Sequence, residues 1–189
     1  MEDDSRFEVR LAGSGGQGLM LAGIILAEAA IVDGKNVTYT QSYGPEARGG
    51  ASHSEVIISQ GDIDYPQVTQ ADLLLCMSQE SCDKYFYSVK KEGLLIVDLD
   101  NVSRVPTSRA CRVDISGLAQ NVTGRAITAN VVALGIIVGL TGIVSQQAIE
   151  AAVTARAPRG TEEMNLQALR AGLEEAQRLK NREGQKGCV

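Results

Sequence analysis

Six residues, Gly13-Ser14-Gly15-Gly16-Gln17-Gly18, separate a strand-like run, Phe7–Ala12, from a nearly all-apolar helical run, Leu19–Val32. Few architectures accept that order. A strand with Val9 and Leu11 on one face, a tight turn and a helix apolar on every side belong where the helix is buried against a sheet. Gly13, Gly15 and Gly18 satisfy G-x-G-x-x-G between strand and helix. Glycines allow tight backbone angles and close approach of a ligand, and a helix N-terminus offers free N–H groups to an anion. Asp33-Gly34 supplies the stop signal.

The segments that follow extend this α/β pattern. Asn36–Ser42 is alternating and rich in β-branched residues, and Ser54–Ser59 carries Val56-Ile57-Ile58, so both read as strands. No helix separates them, so they should pair as a hairpin and make the sheet mixed. Ala71–Met77 is a continuous apolar run, as in a parallel strand covered on both faces. Ser78 is a good N-cap for a helix reaching to about Lys91, with Glu92-Gly93 as its end. Leu94–Leu99 reads as a buried strand and Cys111–Ile115 as a short one. Helices are expected over Ile127–Leu140, Ser145–Arg156 and Glu162–Glu183. The expected fold is a three-layer α/β/α sandwich, Rossmann-like, with a mixed but mostly parallel sheet and C-terminal helices. Residues 1–189 read as a single domain, with a frayed tail over about 184–189.

Composition narrows the function. A net charge of −5, from 18 basic and 23 acidic side chains, gives no basic excess for nucleic acid. Aromatic residues make up 4% and there is no Trp, so base-stacking platforms are not expected. Cys76, Cys82, Cys111 and Cys188 contain no C-x-x-C pair, which fits neither a zinc nor an iron–sulfur framework. The longest apolar run, Val131–Val144, spans 14 residues and is too short for a membrane span. The acidic, polar N-terminus is unlike a secretory signal, so a cytoplasmic location is expected.

The glycine turn has several readings. A dinucleotide site wants an acid at the tip of the second strand. That strand ends in Thr40-Gln41-Ser42, and Asp33 falls before it. The turn then serves close helix packing, a phosphate or diphosphate, or an interface. The loop Tyr43-Gly44-Pro45-Glu46-Ala47-Arg48-Gly49-Gly50 is more informative. It is longer than a hairpin tip needs, Pro45 stiffens it, and Glu46 and Arg48 can brace each other or reach one partner. Arg48 has the planar fork suited to a carboxylate or phosphate. Such a loop fits a site built across a subunit contact.

These segments also resemble a known family. The glycine turn, the Tyr43–Gly50 loop, Glu55-Val56-Ile57-Ile58-Ser59, Asn130-Val131-Val132-Ala133-Leu134-Gly135 and the stretch from Asn165 to Gly172 are similar to the gamma subunit, or gamma domain, of 2-oxoacid:ferredoxin oxidoreductases. The pyruvate/ketoisovalerate oxidoreductase gamma domain belongs there, and the 2-oxoglutarate type matches best in having a separate chain of this length. Indolepyruvate and branched-chain forms carry similar subunits. The resemblance implies one part of an enzyme that oxidatively decarboxylates a 2-oxoacid to an acyl-CoA. Thiamine diphosphate with magnesium and the iron–sulfur clusters would sit on alpha, beta and ferredoxin-like delta subunits, with coenzyme A and ferredoxin as reactants. The contact residues it points to are Gly13, Gly15, Gly16, Gln17, Gly18, Tyr43, Gly44, Pro45, Glu46, Arg48, Gly49 and Gly50; none is assigned a catalytic role. The competing reading is a free-standing anion- or nucleotide-binding module.

Other polar residues read as structural. His53, the single histidine, suits a structural or interface role. Asp98 and Asp100 should cap a turn rather than hold a metal. Asn130, on an apolar helix, should bond a backbone group or pin the glycine turn. Met20 and Met77 look like core. Cys76 should be buried and inert, and Cys82 the thiol most open to modification.

Overall fold

The computed structural model describes residues 6–42 and 51–183. Six strands form one sheet in the order β2-β3-β1-β4-β5-β6. These are β1 (Phe7–Ser14), β2 (Asn36–Ser42), β3 (Ala51–Ser59), β4 (Ala71–Cys76), β5 (Val89–Asp98) and β6 (Cys111–Val113). β1, β4, β5 and β6 run parallel, while β3 is antiparallel to both β1 and β2. The expected β2–β3 hairpin and mixed sheet are therefore present.

Six α-helices accompany the sheet: α1 (Leu19–Val32), α2 (Gln79–Tyr85), α3 (Ile115–Thr123), α4 (Ala129–Thr141), α5 (Gln146–Arg156) and α6 (Glu162–Glu183). The two faces are unequal. Val9, Leu11, Val56, Ile58, Leu73, Leu75 and Ile96 share one large core with α1, α3, α4, α5 and α6. On the opposite face Ala12, Leu74, Cys76, Leu95 and Val97 meet only Cys82 of α2 and Val102 as fully buried apolar neighbours. On the first face α4 and α6 touch backbone to backbone. A Cβ on Gly135 would collide with the Leu169 carbonyl, and one on Gly172 with that of Val132.

The local signals explain most boundaries. Ser78 caps α2 by accepting from Ser81 N–H. Ser145 caps α5 by accepting from Ala148 N–H. Asp33 is the C-cap of α1, and Gly34 follows at φ 74°.

Two expectations are corrected. The helix after Ser78 does not reach Lys91. It stops at Tyr85, a 3-10 turn covers Phe86–Ser88, and β5 starts at Val89, five residues before Leu94. Pairing with β4 outweighs local preference there: Val89 lies opposite Ala71, and Leu94 opposite Leu73. The other difference is α3, which begins at Ile115, the end of the expected short strand, and has no counterpart among the expected helices.

Candidate functional site

β1 lies between β3 and β4, α1 leaves its end toward the large core, and α2 leaves the end of β4 toward the other face. In open α/β sheets the crevice at such a switch point is where ligands settle. Here a side chain of the glycine turn spans it. Gln17 Oε1 accepts from Ser14 N–H at 2.7 Å, and Gln17 Nε2 donates to the Met77 carbonyl at 2.9 Å. The two strand ends are thereby laced together.

The neighbouring glycines follow from that arrangement. A Cβ on Gly13 would run into Gln17 Oε1, so glycine at 13 admits the amide. Gly18 is left-handed at φ 73°, and a Cβ there would lie 2.5 Å from Asn130 Nδ2. Asn130, buried at the start of α4, donates to the Gly18 carbonyl at 3.1 Å, and its Oδ1 accepts from Val131 N–H at 2.9 Å. The expectation that Asn130 pins the turn is met. Gly15 and Gly16 are exposed with open space around them, and Gly16 is left-handed at φ 89°.

Tyr43, Gly44, Pro45, Glu46, Arg48, Gly49 and Gly50 lie outside the described residues. The two bases of their loop are fixed. Ser42 pairs with His53, and Ala51 pairs with Ser14, so the chain leaves and returns beside the glycine turn. Ala51 N–H donates to Glu80 Oε1 of α2 at 3.2 Å, and Ser52 Oγ to the Gly13 carbonyl at 3.4 Å.

Below this edge, on the face covered by α2, runs a buried ionic network that the sequence reading missed. Arg10 of β1 lies opposite Glu55 of β3. Its Nε and an Nη donate to Glu55 Oε1 at 2.9 and 2.6 Å, and it also reaches the Val68 carbonyl and Ser88 Oγ. Glu55 Oε2 accepts from Val68 N–H at 3.2 Å and Thr40 Oγ1 at 3.3 Å. His53 Nε2 lies 3.6 Å from Glu55, and His53 Nδ1 shares a 2.9 Å hydrogen bond with Tyr85 Oη. Burial pushes the Glu55 carboxyl up. The hydrogen bonds from His53 and Arg10 and the Arg10 charge outweigh it and hold the pKa at about 2. His53 is thus a structural histidine, two residues from the loop base. The available signal was alternation: Glu8 and Arg10 are the even positions of a strand whose odd positions are apolar.

The remaining candidates resolve as supports. Asp98 is fully buried and caps α3, accepting from Ile115 N–H at 3.0 Å and Ser116 N–H at 3.1 Å. The nearby Asp114 charge pushes the Asp100 carboxyl up. Met77 is core, while Met20 is half-buried. Cys82 is fully buried, against the expectation of easy modification. It faces Cys76; their hydrogen bond pushes the Cys76 thiol up and the Cys82 thiol down. Cys111 belongs to the core on the other face. Among the described residues no group of three or more His, Cys, Asp or Glu is placed to hold a metal ion. No described helix is long and apolar enough to cross a membrane.

A mixed α/β sheet with a glycine turn at its switch point, and the ends of the β2–β3 hairpin paired beside that turn, defines the class. Residues 8–175 match the pyruvate ferredoxin/flavodoxin oxidoreductase family, and the chain belongs to it. The 2-oxoglutarate synthase subunit KorC of Methanocaldococcus jannaschii is 46% identical over 182 residues, covering 92% of this chain and 96% of that relative. The crystal structure of a keto/oxoacid ferredoxin oxidoreductase gamma subunit from Geobacter sulfurreducens is 50% identical, with a TM-score of 0.84 over 92% of this chain and 98% of that one. A 2-oxoglutarate:ferredoxin oxidoreductase from Magnetococcus marinus, solved with 2-oxoglutarate, coenzyme A and succinyl-CoA, shares the fold. Its TM-score is 0.83 at 20% identity, and this chain spans 32% of its length.

Proposed function

We propose that this chain is the gamma subunit of a cytoplasmic 2-oxoacid:ferredoxin oxidoreductase of the 2-oxoglutarate type, present as one domain of a hetero-oligomer. The assembly converts a 2-oxoacid, coenzyme A and oxidised ferredoxin to an acyl-CoA, carbon dioxide and reduced ferredoxin. The observation that carries the reading is the 46% identity to a 2-oxoglutarate synthase subunit over nearly the whole of both chains. In this reading alpha, beta and ferredoxin-like delta subunits hold thiamine diphosphate, magnesium and the iron–sulfur clusters. Thiamine diphosphate supplies the electron sink for decarboxylation.

The gamma chain's own contribution is the edge formed by the glycine turn and the Tyr43–Gly50 loop. Gly15 and Gly16 present bare backbone to a partner chain or to coenzyme A, and Arg48 offers a fork to a carboxylate or phosphate. Gln17 counts against a free-standing dinucleotide module, because its amide already takes up Ser14 N–H and the Met77 carbonyl at the switch point.

The test is reconstitution with the partner subunits. Arg48→Ala should lower 2-oxoglutarate-dependent ferredoxin reduction about tenfold or more, the worth of one charge-assisted contact, with an unchanged melting curve. Full activity in the variant removes the loop from the site. Turnover of a 2-oxoacid by the isolated chain contradicts the subunit reading, and preference for a branched-chain or indolyl substrate reassigns the type.

A further inference from the structure

At the sheet edge opposite the glycine turn, a cavity of about 270 Å³ opens between the 3-10 turn Phe86–Ser88, the start of β5 and the segment before β6. Three cations line it, Lys90, Lys91 and Arg109, with no carboxylate among the lining residues. Tyr87 forms its rim and is the most exposed large hydrophobic side chain described, at 81%. Phe86 holds the Tyr87 ring edge-on, with centroids 5.3 Å apart and planes at 70°.

The backbone here departs from regular pairing. Between the pairs Ala71–Val89 and Leu73–Leu94, β4 advances by two residues and β5 by five, so three extra residues bulge out of β5. A Cβ on Gly93 would lie 2.9 Å from the Ala71 carbonyl, so the bulge closes tightly against β4. Bulges re-aim side chains and concentrate near functional sites. This one carries Lys90 and Lys91 to the cavity, and it is where local sequence preference and structure part company. Lys90 is anchored by both oxygens of Asp72 at 2.8 Å. Among the described residues the Arg109 side chain pairs with Glu92 alone, itself 80% exposed, at 3.1 Å. Such a surface pair is weak and yields readily to a bound anion. Lys91 has no partner among the described residues.

We propose that this cavity binds a nucleoside phosphate, its base stacked on Tyr87 and its phosphates held by Lys91 and Arg109. An exposed aromatic face accepts a base of any identity, and the cations supply the phosphate contacts. The proposal is independent of the subunit assignment and uses no residue of the glycine turn or the Tyr43–Gly50 loop.

The test titrates the full chain with ADP and, separately, with inorganic phosphate, by calorimetry and by tyrosine emission, which no Trp obscures. ADP should saturate below about 1 mM, and phosphate should bind at least about tenfold more weakly. Lys91→Glu should weaken both ligands about tenfold or more, whereas Tyr87→Ala should weaken ADP and leave phosphate unmoved. Both side chains are exposed, and circular dichroism reads the fold of each variant. Equal affinity for ADP and phosphate, ADP affinity untouched by both variants, or no saturation at about 5 mM would each overturn the proposal.

Discussion

The two faces of the sheet are held in opposite ways. On one, five helices enclose a dry core in which Leu11, Leu26, Ile96 and Leu134 are almost completely buried. On the other, a seven-residue helix covers a smaller apolar patch beside a buried ion pair, Arg10–Glu55, with His53 and Tyr85 attached. The dry face is specified by volume and hydrophobicity, which many side chains can supply. The ionic face is specified by donor and acceptor geometry, so its members cannot be exchanged singly. It also lies under the bases of the Tyr43–Gly50 loop, where fixed geometry is most useful.

The difference can be broken from either side. The largest effect is expected for Arg10→Ala, which strands Glu55 as a buried, unpaired charge and should cost about 4 kcal/mol in denaturant unfolding. Arg10→Lys should fail too, since an ammonium cannot replace the fork that donates twice to Glu55. On the dry face, Leu134→Ala should cost about 3 kcal/mol through cavity formation, while Leu134→Met should cost less than about 1.5 kcal/mol. A conservative exchange is thus tolerated on one face and damaging on the other.

Acid sharpens the contrast. The Glu55 pKa is lowered from 4.5 to about 2, so the native state binds fewer protons than the unfolded chain in that interval. Its contribution, of order 3 kcal/mol, is fully present above about pH 4.5 and drains away as pH falls toward 2. Unfolding curves taken down this range should show that loss in the native protein, and the loss should shrink in Glu55→Gln. Of the disruptive changes the mildest is at the lace between the ends of β1 and β4: Gln17→Ala should cost about 2 kcal/mol by freeing Ser14 N–H and the Met77 carbonyl.

The same contrast decides what the sequence discloses. Leu19–Val32, Asn36–Ser42 and Glu162–Glu183 have the boundaries that periodicity and stop signals indicate, because apolar spacing and Asp33-Gly34 are local properties. α3 was legible in principle: Asp114 caps it, Ile115, Leu118, Ala119 and Val122 have helical spacing, and Gly124 ends it at φ 70°. Ser116 and Gly117, poor helix formers, hid that pattern. The start of β5 was not legible, because only contact with Ala71 makes Val89 a strand residue. At the candidate site the glycine turn was visible, but the division of labour within it was not. Gln17 and Gly18 serve the fold through Met77 and Asn130, 60 and 112 residues distant along the chain, and Gly13 makes room for the Gln17 amide, while Gly15 and Gly16 stay exposed.

The central claim, that this chain is one subunit of a 2-oxoacid:ferredoxin oxidoreductase, is tested most directly by anaerobic affinity purification of the tagged chain from its own cells. Bound proteins would be identified by mass and the eluate assayed with 2-oxoglutarate, coenzyme A and ferredoxin. The account predicts thiamine-binding and ferredoxin-like chains at near-equal ratio, with 2-oxoglutarate-dependent reduction of ferredoxin. Recovery of the chain alone, under conditions that preserve complexes, would contradict it.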